Sequence, residues 1–92
     1  LPSILDGFTH QMEEKLTEIS SDFRMGDSDR LYKTAHAIKS MSANIGAEKV
    51  RLISAEVEGL GRTGNIADIE KSLLEISDAY EEFVTEFKVR FI

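Results

Sequence analysis

Apolar residues recur every three or four positions along most of the chain, which is the spacing of amphipathic helices. Ser3 can cap a first helix, with Asp6 three residues later to complete a capping box. The apolar positions of that helix are Leu5, Phe8, Met12, Leu16, Ile19 and Phe23. A second helix is predicted over residues 27–46, capped by Asp27 or Ser28 and ended by a glycine. Its buried stripe is Leu31, Thr34, Ala35, Ile38, Met41, Ser42 and Ile45.

The second half of the chain carries two further stripes. The third predicted helix covers residues 47 to about 60, with apolar positions at Val50, Ile53, Val57 and Leu60. We expect three glycines to interrupt it and form a turn, namely Gly59, Gly61 and Gly64. Asn65 can cap a fourth helix, whose stripe steps by four and three as in a helical bundle. That stripe is Ile69, Leu73, Ile76, Tyr80, Phe83 and Phe87.

These patterns predict an all-α protein, because no segment alternates apolar and polar residues over the length of a strand. Connections of a few residues make consecutive helices antiparallel neighbours. We therefore expect an up-down-up-down four-helix bundle within a single chain. The 92 residues suffice for one domain, which we assign to residues 1–92. Since the chain begins with Leu-Pro rather than Met, we expect this domain to be excised from a larger sensor protein.

Composition and net charge argue against several classes of function. Hydrophobic residues make up 41% and charged residues 30%, as in ordinary globular proteins. The net charge of -6 argues against a nucleic-acid binder and against direct contact with an anionic membrane. Without cysteine, the chain has no disulfide or thiolate site, and no apolar run approaches the roughly 20 residues of a membrane span. We expect a cytoplasmic protein, or the cytosolic C-terminal module of a membrane-bound sensor.

His36 is the candidate functional residue, because it projects from the face of the second helix opposite its apolar stripe. At about 100° per residue, its neighbours there are Tyr32 and Lys33 one turn earlier and Lys39 and Ser40 one turn later. An exposed imidazole is a polarisable nucleophile near neutral pH, and phosphoimidazole is a labile, transferable species. The two lysines can stabilise a phosphate dianion. We therefore interpret His36 as a phosphoryl acceptor, with Lys39, Lys33 and Ser40 as contributors.

The phosphoryl group has to come from another protein domain, since the chain has no phosphate-binding loop, Walker lysine or kinase motif. The glycines of residues 61–64 follow no strand and match no such pattern. Small residues at Ser40 and Ala43 leave room for a partner's backbone. Candidate docking residues are Tyr32 and the edge residues of the first helix, Ile4, Phe8 and Met12, for which an ordinary place in the core is the alternative.

Residues 35–47, AHAIKSMSANIGA, closely resemble the signature of histidine phosphotransfer (HPt) domains. That signature is roughly Ala-His-x-Leu-Lys-Gly-x-Ser/Ala-x-x-Ile/Leu-Gly-Ala, and the family's four-helix plan and length extend the resemblance over nearly the whole chain. Here Ile38 replaces the usual leucine, and Ser40 replaces the usual glycine.

The resemblance implies that His36 accepts a phosphoryl group from one receiver-domain aspartate and passes it to another. Lys39 matches the family's lysine that accompanies the phosphate. The implied role is that of a monomeric covalent carrier rather than an enzyme with its own nucleotide site. Its partners would be receiver domains of response regulators or hybrid kinases. The Mg²⁺ of such exchanges would belong to the receiver, so that no metal or other cofactor is expected on this chain.

Two alternatives stay open. The dimerisation and phosphoacceptor domain of a sensor kinase also carries a helical histidine, but usually with an acidic residue next and a proline a few positions later. Here Ala37 follows His36, and the only proline is Pro2. That domain also forms its bundle from two chains. A non-catalytic helical adaptor, in which His36 is incidental, is the second alternative.

The second histidine, His10, serves as a comparison. It lies off the apolar stripe of its helix and has no lysine one turn away, so we interpret it as a spectator. Glu13 and Glu14 could join it in a metal site, but no second histidine or cysteine supports one. Ser42, beside the apolar stripe, is interpreted as a small packing residue. The aromatic set expected in the core is Phe8, Phe23, Phe83 and Phe87.

Overall fold

The computed structural model describes residues 2–91, with side chains from residue 4 onward, and is helical almost throughout. Its elements are α1 (Pro2–Arg24), α2 (Ser28–Ile45), α3 (Glu48–Arg62), a short 3-10 helix (Ile66–Asp68) and α4 (Glu70–Phe91). No strand occurs within residues 2–91. The predicted all-α bundle of four helices is confirmed. None of these helices is both long enough and apolar enough to cross a membrane.

The core is formed mainly by the predicted stripes, to which Ala47 and Ala79 are added. Its buried residues are Leu5, Phe8, Met12, Ile19, Leu31, Ala35, Ile38, Ala47, Val50, Val57, Ile69, Ile76, Ala79 and Tyr80. The ring of Phe8 on α1 packs against two aromatic rings of α4, with centroid distances of 5.9 Å to Tyr80 and 5.6 Å to Phe83. These contacts, tilted for Tyr80 and edge-on for Phe83, add to the burial of apolar area and join the first helix to the last.

Contacts between helix ends show how the elements lie against one another. Phe8, near the start of α1, meets Phe83, late in α4. Phe23, near the end of α1, lines a groove with Leu73, near the start of α4. These are the contacts expected of antiparallel neighbours. α2 in turn packs against α3, and His36 lies on α2.

Both ends of α2 follow the capping rules that its sequence suggests. The side chain of Asp27 accepts a hydrogen bond from the backbone N–H of Arg30 at 3.1 Å. Gly46 ends the helix with a φ of 82°, a left-handed conformation that glycine adopts without steric cost. The helix that carries His36 is therefore bounded by local signals as well as by packing.

Two other predicted caps are wrong. α1 already includes Pro2, so Ser3 lies inside the helix rather than before it, and the Ser3 side chain is outside the described residues. Asn65 precedes the 3-10 helix Ile66–Asp68, with no side-chain capping bond, and α4 begins only at Glu70.

The prediction that three glycines interrupt the third helix is also wrong for two of them. Gly59 and Gly61 lie inside α3, and only Gly64, with a φ of 79°, forms the turn. Gly61 is buried where α3 meets α2. A Cβ there would lie 2.9 Å from Cβ of Tyr32, closer than real Cβ contacts allow. The missing side chain therefore allows close contact between the two helices around His36.

Candidate functional site

His36 lies on the outward face of α2. Its side chain is 57% exposed, whereas Ala35, one position earlier, and Ile38, two positions later, are fully buried. The helical period alone accounts for this difference, since one residue turns the side chain by about 100°. The imidazole is therefore held on a rigid element yet accessible to a partner.

A buried carboxylate from the neighbouring helix organises the site. Glu58 of α3 has a side chain that is only 8% exposed. One of its oxygens, Oε2, lies 2.9 Å from Nδ1 of His36 and 3.4 Å from an Nη atom of Arg62. The other oxygen, Oε1, lies 2.6 Å from Nζ of Lys39. The buried charge is thus compensated by partners from both helices, as buried ions require.

These contacts determine the charge state of Glu58. Chiefly the hydrogen bond from Lys39, and also those from His36 and Arg62, favour the ionised form and outweigh burial, so that the pKa of the Glu58 carboxyl falls to about 2. A carboxylate can only accept hydrogen bonds. Nδ1 of His36 must therefore donate in this contact. In the neutral ring the lone pair then belongs to Nε2, and Nε2 makes no hydrogen bond within residues 2–91.

The three neighbours predicted to assist His36 lie in different surroundings. Lys39 is half-buried and points to the shared carboxylate. Ser40 is exposed one turn after His36 and leaves the surface open. Lys33 instead bonds to Asp29 of its own helix at 3.0 Å, a contact that raises the pKa of Lys33.

Arg62 brings a further cation to the site. Its Cζ lies 4.9 Å from the centroid of the Tyr32 ring, and Tyr32 precedes His36 by one helical turn. The Arg62 side chain is 60% exposed. Lys39 and Arg62 thus contact different oxygens of Glu58, and Arg62 in addition contacts Tyr32.

Glu58 and Arg62 were not predicted from the sequence, although one signal pointed to them. Glu58 follows the buried Val57 and shares the edge of the α3 stripe with two small residues, Ser54 and Gly61. A glutamate among small residues on a buried edge, with an arginine four positions later, indicates a charge that needs partners. The sequence of α3 alone does not identify the residues of α2 that act as partners of this charge.

The predicted docking residues are only partly at the surface. Phe8 is 6% exposed and Met12 is 0% exposed, so the prediction that they face a partner is wrong, and both belong to the core. Ile4 is 57% exposed and lies on the rim of a groove between α1 and α2. The groove is lined by Ile4, Gly7, Phe8, Gln11, Met41, Asn44 and Ile45.

His10 has simpler surroundings than His36. Its Nε2 lies 3.1 Å from an oxygen of Glu14 on the same helix, and both side chains are largely exposed. Across residues 2–91, no cluster of three or more histidine, cysteine or acidic side chains has a geometry that could hold a metal ion. Ser42 is fully buried and its hydroxyl has no partner among the described residues, consistent with a packing role.

Comparison with known proteins adds independent information. A family model described as "Hpt domain" matches residues 3–86. The phosphorelay intermediate protein rdeA of Dictyostelium discoideum is 28% identical over 88 residues, which covers 92% of this chain and 35% of that protein. The chain thus spans about a third of the length of this curated relative. No solved structure matches it significantly.

Proposed function

Because the chain belongs to the Hpt domain family, we propose that it is a phosphorelay intermediate whose acceptor is Nε2 of His36. It receives the phosphoryl group from an aspartate of one receiver domain and passes it to an aspartate of another. The observation that carries this proposal is the contact between the exposed imidazole and the buried, ionised Glu58 at 2.9 Å. That contact orients the ring and leaves the outer nitrogen with the lone pair.

The first transfer follows from this arrangement. The Nε2 lone pair attacks the phosphorus of the aspartyl phosphate, the P–O bond breaks, and its electron pair leaves with the aspartate carboxylate. No proton has to leave the ring, because Nε2 carries none. The product ring bears the phosphoryl group on Nε2 and a proton on Nδ1, and therefore a formal positive charge. Glu58, already ionised, stabilises that charge as the buried carboxylate of a catalytic triad does.

The positive charge on the phosphorylated ring also explains the second transfer, because it makes the imidazole a good leaving group. When an oxygen of the next aspartate attacks phosphorus, the P–Nε2 bond breaks and its electron pair returns to the ring, which leaves as a neutral imidazole. His36 is thereby restored with its proton still on Nδ1. The chain finishes the cycle unchanged, as a carrier does.

The neighbouring residues have graded roles in this proposal. Lys39 keeps Glu58 ionised and adds positive charge to the site. Ser40, small and exposed, leaves room for a partner's backbone. Lys33 contributes less, because its ammonium is bound to Asp29. We assign no cofactor to this chain and place the Mg²⁺ of the exchange on the receiver domain.

We further propose that the domain acts in the cytoplasm as a monomer. In support, one chain supplies all four helices, whereas the sensor-kinase alternative needs two chains to complete its bundle. Sedimentation equilibrium tests this point. The proposal expects the mass of one chain, and a stable dimer would favour the alternative.

Phosphoryl transfer from a labelled receiver domain tests the acceptor. A receiver phosphorylated on its aspartate with ³²P is mixed with the domain and with two matched variants, His36→Gln and His10→Gln. We expect acid-labile label on the wild type and on His10→Gln, and none on His36→Gln. Label that persists on a folded His36→Gln variant would refute the assignment.

A further inference from the structure

We propose that Arg62, rather than Lys39, is the side chain that pairs with the phosphoryl group while His36 carries it, and that the ring of Tyr32 holds the guanidinium in place. This inference rests on the proposed function, since it requires His36 to be the acceptor. The lifetime of the phosphorylated state then depends on Arg62, a residue of α3 that lies outside the signature segment on α2.

Lys39 is committed to another charge. Its Nζ lies 2.6 Å from Oε1 of Glu58, and the carboxylate is almost fully buried. Removing this partner would leave Glu58 without its shortest contact in a place that water reaches poorly, which is costly for a buried ion. Lys39 therefore has to stay with Glu58 when a phosphoryl group arrives.

Arg62 is held much more loosely. One of its nitrogens lies 3.4 Å from Oε2 of Glu58, at the long end of hydrogen-bonding distance, and the side chain is 60% exposed. A guanidinium has five N–H donors in a planar fork. Since Glu58 keeps the contacts from Lys39 and His36, Arg62 can turn away from it at little cost.

The guanidinium is also in the right place. Arg62 and Nδ1 of His36 contact the same oxygen of Glu58, so they are separated by no more than about two hydrogen-bond lengths. Tyr32, one turn before His36, lies under the guanidinium at 4.9 Å. Stacking on the ring keeps the planar group near the imidazole and leaves its edge available. That edge matches two oxygens of a phosphoryl group.

Pairing of this kind lengthens the life of the phosphohistidine. Phosphoryl transfer passes through a loose transition state in which the phosphoryl group resembles metaphosphate. Its oxygens then carry less negative charge than in the bound dianion. A cation paired with the bound group thus stabilises the carrier more than the transition state of hydrolysis.

The test measures that lifetime without a receiver domain. In a His10→Asn background, so that His36 is the only histidine, the protein is treated with phosphoramidate. Nε2 attacks phosphorus, the P–N bond of the donor breaks, and ammonia leaves. After the donor is removed, ³¹P NMR follows the decay of the phosphohistidine signal.

We expect Arg62→Gln to shorten the half-life roughly three- to fivefold, the effect of a partly exposed ion pair. Arg62→Lys should restore part of the half-life, because lysine keeps the positive charge but lacks the planar fork of N–H donors. Tyr32→Leu should shorten it and Tyr32→Phe should not, since phenylalanine keeps the ring. Arg90→Gln, which removes an exposed arginine near the end of α4, is the matched control and should behave as the wild type.

The remaining outcomes contradict either the role of Arg62 or the proposed function. An unchanged half-life in Arg62→Gln, or equal shortening in Arg90→Gln, overturns the role of Arg62. If Arg62→Gln fails to give a cooperative thermal transition, the Tyr32 pair decides, and equal half-lives for Tyr32→Leu and Tyr32→Phe overturn the proposal. A wild type that takes no phosphoryl group on His36, from phosphoramidate or from a receiver, contradicts the proposed function itself. By contrast, a protein that is phosphorylated on His36 but whose phosphohistidine half-life is unchanged in Arg62→Gln contradicts only the role of Arg62.

Discussion

Nδ1 of His36 and Oε2 of Glu58 lie 2.9 Å apart across the interface between α2 and α3. One partner is mostly exposed and the other is almost fully buried. The contact therefore links the exposed face of α2 to the interior of the domain, and it fixes which nitrogen faces outward. A ring oriented by a carboxylate in this way resembles the histidine of a catalytic triad, with the phosphoryl group taking the place of the transferred proton.

Glu58→Gln should slow phosphoryl transfer from a receiver roughly ten- to a hundredfold, the range seen when a carboxylate that orients a metal-bound histidine is removed. The amide keeps the shape of the side chain but cannot balance the positive charge that develops on the ring. Rapid-quench measurement of the single-turnover rate checks this, with thermal denaturation as the control for folding. Transfer at the wild-type rate would show that Glu58 serves packing alone.

The ionisation of Glu58 also predicts how stability depends on pH. The pKa of its carboxyl is about 2 in the folded state, below the ordinary value of 4.5. Between about pH 2 and pH 4.5 the unfolded chain binds more protons than the folded one, so the free energy of unfolding falls as the pH falls. The stabilisation from Glu58 is complete above about pH 4.5 and is lost as the pH drops through about 2.

Urea denaturation of wild type and Glu58→Gln checks that window. The wild type should be the more stable protein near neutral pH, by an amount that stays constant down to roughly pH 5. Below that, the difference in the free energy of unfolding should shrink. A difference that does not change on acidification would mean that the carboxylate is not stabilised by its three partners.

Two lysines on α2 provide a matched pair. Lys39→Ala should slow transfer roughly tenfold and lower stability, because it removes the principal partner of a buried charge. Lys33→Ala should change transfer by less than about twofold, since it breaks only an exposed pair with Asp29. The same single-turnover assay compares them, and equal losses would contradict the assignment of Lys39 to Glu58.

Two glycines of α3 provide another matched pair. Gly61→Ala should destabilise the fold by about 1–3 kcal/mol, because its Cβ would meet the backbone and Cβ of Tyr32 and neither can move freely. Gly59→Ala should stabilise it by about 0.5–1 kcal/mol, since a Cβ there meets nothing within 4 Å and alanine favours helix. Chemical denaturation of both variants distinguishes them. Equal effects would mean that α2 and α3 can separate at no cost.

Several features that depend on one helix were predictable from the sequence, although the caps expected at Ser3 and Asn65 were wrong. The outward position of His36 and the inward position of Ile38 follow from the helical period alone. The capping of α2 by Asp27 and its termination at Gly46 follow from local backbone chemistry. Each of these needs no knowledge of where another helix lies.

Features that depend on two helices were not predictable. Gly61 was expected to end a helix because glycine costs about 1 kcal/mol in a helix interior, but close packing against Tyr32 outweighs that preference. The same packing sets the register that brings Glu58 to His36. Lys33 and Lys39 each lie three positions from His36, and the helical period alone does not show that one pairs with Asp29 and the other with Glu58.

The most direct test asks which nitrogen carries the phosphoryl group. The domain, with its histidines labelled with ¹⁵N, is phosphorylated by a receiver domain and examined by long-range ¹H–¹⁵N correlation with ³¹P coupling. We expect coupling of phosphorus to Nε2 of His36, with the proton on Nδ1 retained. Coupling to Nδ1 of His36, or to either nitrogen of His10, would contradict the assignment of Nε2 as the acceptor.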